Sequence, residues 1–230
     1  MSPCHMLNRK SGFTLVELLA VVAIIGILAA ILLPIFGKIR ESGNASKCIS
    51  NMKQIGVGAA GYAADNNGTL PERLDAHTKP SVESYIYPGK GRPAGGGVFH
   101  CPSADSKKTS SLGASLGESY PGLSYGRNMA ITYNGGIYKV SSIPQPSKRA
   151  LAWESSVWNI ITDENNIKTR YAPRHRGGAT QSNPLGEAGT FLFIDGHVEM
   201  RVMSMNPIDQ AEWDELGRWS QAQGNSNITQ

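Results

Sequence analysis

The chain has 230 residues, 40% of them hydrophobic and 17% charged, with a formal net charge of +4. That length suits one modest domain with an appendage. The positive balance is too small and too scattered for a nucleic-acid surface, so no nucleic acid is expected as a partner.

The first element in chain order is an apolar run from Phe13 to Leu33 with a single charge, Glu17. At a rise of ~1.5 Å per residue a helix over this run spans roughly 30 Å, the thickness of a bilayer core. Arg9 and Lys10 precede it, in a stretch with no acidic residue. Basic residues stay on the cytoplasmic side, which places the C-terminal part outside. A secretory signal peptide fits poorly, because its cleavage site follows the apolar run, whereas the small residue here, Gly12, comes before it. A plain anchor fits poorly too. A carboxylate within a spanning helix costs about 2.5–3.5 kcal/mol on insertion scales and is read as functional by default.

The stretch Lys10-Ser11-Gly12-Phe13-Thr14-Leu15-Val16-Glu17 resembles the cleavage and methylation motif of type IV prepilins and type II secretion pseudopilins. The resemblance implies a leader over residues 1–12, cut after Gly12 by an aspartic prepilin peptidase that then N-methylates Phe13. It makes Glu17 the fifth mature residue, paired during assembly with the amino terminus of a neighbouring Phe13. Two costly charges then neutralise each other and fix the register between subunits. Pro34 falls where many family members carry a helix-kinking proline. The implied organisation is a transmembrane and assembly helix over 13–34, an amphipathic continuation over 35–66 and a β-rich head over 67–230.

Beyond Pro34, Ala45, Ile49, Met52, Gly56, Ala59 and Ala63 recur at three- and four-residue steps, with Lys47, Lys53 and Gln54 between them. Ser42-Gly43-Asn44 is a candidate bend, and Asp65-Asn66-Asn67-Gly68 a helix stop. In the head, strands are expected around Val98–Cys101, within Lys148–Glu154, and over Val157–Thr162. A hairpin is expected over Thr190–Ile194 and His197–Met203, turning at Asp195-Gly196 with both residues at positive φ. Residues 208–219 suggest a short terminal helix, and 102–122 and 177–189 read as Gly/Ser-rich loops.

Cys4 lies in the predicted leader, which leaves Cys48 and Cys101. Outside the membrane these two are a candidate disulfide, the alternative being two unpaired thiols. The bond would close a loop of roughly 50 residues, worth on the order of 4 kcal/mol in the chain-entropy account.

Cys48-Ile-Ser-Asn51-Met-Lys-Gln54-Ile-Gly56, the Tyr62–Pro71 stretch and Cys101-Pro102-Ser103 are similar to pseudopilin-like proteins with an H-X9-DG C-terminal domain. His175 would be the histidine of that motif and Asp195-Gly196 its end, in a region of about 171–203. Nineteen residues separate them here, so the intervening loop is lengthened.

His175, Asp195 and His197 could hold a divalent cation. The preferred reading is structural, with Asp195 a turn residue and His197 the start of a strand, so no metal or other cofactor is expected. No dense Asp/Glu run marks a calcium loop of the kind some major pseudopilins carry. There is no G-x-S-x-G elbow, and Gly95–Gly97 is not followed by Gly-Lys-Ser/Thr, so an enzyme is not expected. Trp153, Trp158, Trp213 and Trp219 are read as packing residues rather than a sugar-stacking platform.

The sequence thus predicts an α+β, pilin-like protein, with a long N-terminal transmembrane helix packed on a small antiparallel β-sheet head. It is expected as a single-pass protein of a bacterial inner membrane with a periplasmic head. Its predicted role is a structural subunit of a type II secretion pseudopilus or a type IV pilus-like filament. The implied partners are the prepilin peptidase, other pilin or pseudopilin subunits, the secretion or pilus assembly machinery and the lipid bilayer. The alternative is a membrane-tethered binding module presenting its head to a ligand such as a glycan.

Overall fold

The computed structural model describes residues 14–71, 74, 81–93, 96–104, 124–128, 139–155, 159–160, 171, 174–175, 188–203, 211 and 215–216. The chain divides into two compact units, Met1–Ser42 and Gly43–Gln230.

Helix α1 covers Leu15–Asp65 and runs without interruption through Pro34 and through Ser42-Gly43-Asn44. Pro34 removes one backbone donor from the helix interior. Sixteen large apolar side chains from Leu15 to Ile39 are exposed around the helix. A helix that is apolar all round belongs in lipid or among other helices, where its backbone polar groups are already satisfied internally.

From Gly43 onward the helix has one buried face, carrying Cys48, Asn51, Met52, Ile55, Gly56, Ala59 and Ala63, while Lys47, Lys53 and Gln54 stay exposed. Its end is a Schellman-type cap: the Gly68 N–H donates to the Ala63 carbonyl at 2.7 Å, and Asn67 sits at φ 54°. Asn tolerates this left-handed conformation better than most residues.

The head's sheet has the order β3-β1-β2-β4-β5. Its strands are β1 (Tyr125–Asn128), β2 (Ala150–Glu154), β3 (Asn159–Ile160), β4 (Ala188–Phe193) and β5 (Val198–Val202). Four of them, β1-β2-β4-β5, are antiparallel, and the short β3 pairs parallel to β1 at the edge. The α+β pilin-like expectation therefore holds, with one parallel edge strand added.

Both faces of the sheet are covered. One packs Leu151, Ala152 and Leu192 with Cys48, Met52, Ile55 and Ala59 of α1. The other gathers Ala150, Trp153, Tyr171, Phe191, Phe193, Met203 and Leu216. A register shift between Ala150 and Ala152 lets the adjacent Leu151 and Ala152 both join the helix-side cluster. Helix α2 (Val82–Ile86) packs on the same side, where Gly58 and Gly61 leave room for Val82, Ile86 and Tyr85.

Several local expectations are corrected. Gly97–Phe99 form a 3-10 turn rather than a strand, because Gly96 and Gly97 both take positive φ (94° and 56°) and turn the chain. Residues 188 and 189 belong to β4, not to a loop. Strand β1, Tyr-Gly-Arg-Asn, was not expected, since nothing in it alternates apolar with polar. Only Asn159–Ile160 of the expected 157–162 strand are described as strand. The 208–219 helix lies largely outside the described residues, with Ala211, Glu215 and Leu216 helical.

Candidate functional site

At the N-terminal end, α1 begins with a reciprocal capping box. The Thr14 backbone N–H and hydroxyl each donate to Glu17 Oε2 at 2.9 Å, and the Glu17 N–H donates back to Thr14 Oγ1 at 3.3 Å. Glu17 thus sits in the first helical turn, where a carboxylate also complements the helix dipole. The spacing Thr14-x-x-Glu17 is itself the sequence signal of such a box. Gly12 and Phe13 lie outside the described residues.

In the head, Cys48 and Cys101 form a disulfide with Cα atoms 5.3 Å apart. Asn51, one turn along α1, donates its Nδ2–H to the His100 carbonyl at 2.9 Å and holds the Cys101 segment against the helix. Beside the disulfide, His175 Nε2 donates to Glu154 Oε1 at 2.8 Å, both side chains fully buried. Arg174 ties this corner together. Its backbone N–H donates to Glu154 Oε2 (3.2 Å), and its guanidinium to the carbonyls of Ser124 and Ser155 (3.1 and 3.0 Å). Burial lowers the Arg174 pKa from the usual arginine range, and the Glu154 carboxylate pulls it back up.

His175 is placed by a two-hydrogen-bond bridge to Ala188 at the start of β4. Asp195 and Gly196 lie beyond the other end of that strand, so the structure does not bring them to His175. They form the β4–β5 connection, a three-residue loop of Ile194, Asp195 and Gly196. The Gly196 N–H donates to the Phe193 carbonyl (3.0 Å), and the Phe193 N–H to the His197 carbonyl (2.9 Å). Among loop residues only Gly196 has positive φ, at 88°. The expected two-residue turn is therefore corrected to a type I turn closed by a left-handed glycine. Asp195 Oδ1 accepts from the His197 N–H (3.1 Å) and contacts His197 Nδ1 (2.5 Å), and the His197 ring stacks on Phe193. Sequence reasoning gave Glu154 and Arg174 no role, and no local spacing links either to the cysteines.

The model of the prokaryotic N-terminal methylation motif matches residues 7–33. The N-terminal segment is prepilin-like. The type IV major pilin protein PilA of Myxococcus xanthus is 51% identical over 47 residues, 20% of this chain and 21% of that protein. The type II secretion system core protein G of Aeromonas hydrophila is 36% identical over 71 residues, 30% of this chain and 50% of that protein. Its counterpart in Pectobacterium carotovorum is 33% identical over 88 residues, 36% of this chain and 56% of that protein. The chain thus spans from a fifth to about half the length of these relatives. No solved structure matches it. The motif and the apolar helix agree, since α1 is long and apolar enough to cross a membrane.

Proposed function

We propose that this chain is a prepilin-like structural subunit. A prepilin peptidase removes residues 1–12 by cutting after Gly12 and methylates the amino group of Phe13. The mature chain waits in the inner membrane and is then drawn into a type II secretion pseudopilus or a type IV pilus-like filament. The domain reading goes with it: leader 1–12, membrane and assembly segment 13–34, amphipathic continuation 35–66, head 67–230. The observation that carries the proposal is the methylation motif over 7–33, which leads into a helix whose apolar side chains are exposed around it. Lipid would cover those side chains before assembly and neighbouring subunits after it, so the same surface serves both states.

In this reading Glu17 exchanges its contacts with Thr14 for the charged amino terminus of an adjacent subunit. Pro34 is the position where the helix adjusts its direction, and the subunit performs no catalysis. His175 and the Asp195-Gly196 turn would stand for the ends of an H-X9-DG-type region that shapes the head. The glycan-binding alternative is weakened by Trp153, which is fully buried and has no face to offer a sugar.

The test is the intact mass and N-terminal sequence of the protein from cells with and without prepilin peptidase. A chain beginning at N-methylated Phe13 only when the peptidase is present is the expected result. An intact leader in both strains, or a cut beyond Leu33, would overturn the proposal.

A further inference from the structure

Cys48 on α1, Cys101 after the 3-10 turn, Glu154 at the end of β2 and His175 opposite the start of β4 come from four separate segments. All four are buried, and one ligand atom from each lies within 4.8 Å of every other. Cys101 Sγ is 3.6 Å from His175 Nε2 and 3.8 Å from Glu154 Oε1, and the latter two atoms are 2.8 Å apart. Zinc takes thiolate, imidazole and carboxylate ligands tetrahedrally at about 2.0–2.3 Å, which sets neighbouring ligand atoms about 3.2–3.8 Å apart. A disulfide needs no buried imidazole and carboxylate at its flank; a metal site does.

We propose that the dithiol form of this chain binds one zinc ion through Cys48 Sγ, Cys101 Sγ, His175 Nε2 and Glu154 Oε1. Zinc and the Cys48–Cys101 disulfide are then alternative states of one site. On loading, the sulfurs part from bonding distance to about 3.8 Å and His175 Nε2 and Glu154 Oε1 part from 2.8 Å to about 3.2–3.8 Å, movements within reach of side-chain rotation. The surroundings fit the ion. Arg174 N–H holds Glu154 Oε2, which leaves Oε1 facing the other ligands, as outer partners of metal ligands commonly do. Two thiolates and a carboxylate exceed a divalent cation by one negative charge. The Arg174 guanidinium, which interacts electrostatically with Glu154, supplies the balancing positive one.

The chemistry closes without an unnamed reactant. Cysteines are made as thiols, so zinc loading breaks two S–H bonds, forms two S–Zn bonds and releases two protons with no electron transfer, while the His175 ring moves its proton from Nε2 to Nδ1 so that the Nε2 lone pair can ligate. A disulfide oxidant then takes two electrons from the dithiolate and, with two protons, becomes a dithiol, while the Cys48–Cys101 bond forms and zinc leaves. In the reverse direction a phosphine cleaves the disulfide. It becomes the phosphine oxide with the oxygen of water, whose two hydrogens go to the thiols.

The experiment uses the full chain in detergent, metal-free, as disulfide and after phosphine reduction. Zn2+ is titrated in competition with a chromophoric chelator, and Co2+ serves as the spectroscopic probe. The expected result is one equivalent of Zn2+ in the dithiol form, none in the disulfide form, and tetrahedral thiolate-type Co2+ absorption. Glu154→Gln and His175→Ala should each weaken binding by at least ~10–100-fold, the loss already seen when only outer partners are removed. Circular dichroism separates folding from binding. A dithiol form that loses structure without metal and regains it with Zn2+ supports the site, and one that stays unfolded with Zn2+ overturns it. Failure of a folded dithiol form to bind also overturns it. So does unchanged affinity in both variants, which would reduce the binding to that of two cysteines alone. Should a variant fail to fold, the number of zinc-protected thiols and the thermal shift of the unsubstituted dithiol chain decide instead.

Discussion

The contact between α1 and β4 is tight enough to predict a reversal of sign. Leu192 is fully buried on β4, and a Cβ built on Gly56 would lie 2.9 Å from Leu192 Cδ1. The next neighbours of that Cβ are the Gly196 carbonyl oxygen at 3.7 Å and Leu192 Cδ2 at 3.8 Å, ordinary contact distances. Gly56→Ala in the natural background therefore forces one side chain to move. Overpacking costs about 1–3 kcal/mol, and the better helix propensity of Ala returns about 1 kcal/mol, so the substitution should be neutral to moderately destabilising. Leu192→Ala alone removes three buried carbons' worth of packing from the central sheet and should cost about 2–5 kcal/mol. In the Leu192→Ala background the clash is gone and the new methyl enters the cavity. There Gly56→Ala should stabilise by about 1 kcal/mol from propensity alone. The double-mutant cycle should thus show a favourable coupling of about 1–3 kcal/mol. Urea unfolding of the full chain in detergent, followed by the fluorescence of buried Trp153, measures each corner. Additivity within about 0.5 kcal/mol would refute the close approach of Gly56 to Leu192.

Three further outcomes are expected. Glu17→Ala should leave leader removal largely intact while reducing filament incorporation; normal incorporation, scored in sheared-filament fractions, would remove the proposed pairing role. Replacing both Cys48 and Cys101 by Ser should lower the stability of the oxidised chain by about 4 kcal/mol, read as a lower urea midpoint, and an unchanged midpoint would show the cross-link to be idle. Burial foremost, and the nearby Arg174 cation second, depress the His100 pKa below its ordinary 6.5. The unfolded chain then binds the proton more readily, so this contribution to stability is complete above about pH 6.5 and declines as the pH falls below it. Thermal melts from pH 7.5 to 5 should fall less steeply for His100→Gln than for the natural chain.

What the sequence by itself determined is local. The membrane-length helix, its buried face from Cys48 to Ala63, its stop after Asp65 and the β4–β5 hairpin all follow from residue periodicity and turn chemistry within a few positions. The Cys48–Cys101 pair was also legible, because only two cysteines remain outside the predicted leader. The tertiary structure decided the rest. Tyr125–Asn128 is a strand because β2 offers it a backbone ladder, not because its side chains prefer one. The Val98 segment turns because two consecutive glycines accept positive φ, overriding the β-propensity of Val and Phe. A cation site of His175, Asp195 and His197 would have needed His175 beside the β4–β5 turn, but its bridge to Ala188 sets it at the opposite end of β4. There it meets Glu154 and the cysteines, whose convergence depends on strand order and on helix packing. The cysteine pair alone joins residues 53 apart along the chain, and no local spacing in a single sequence encodes such contacts.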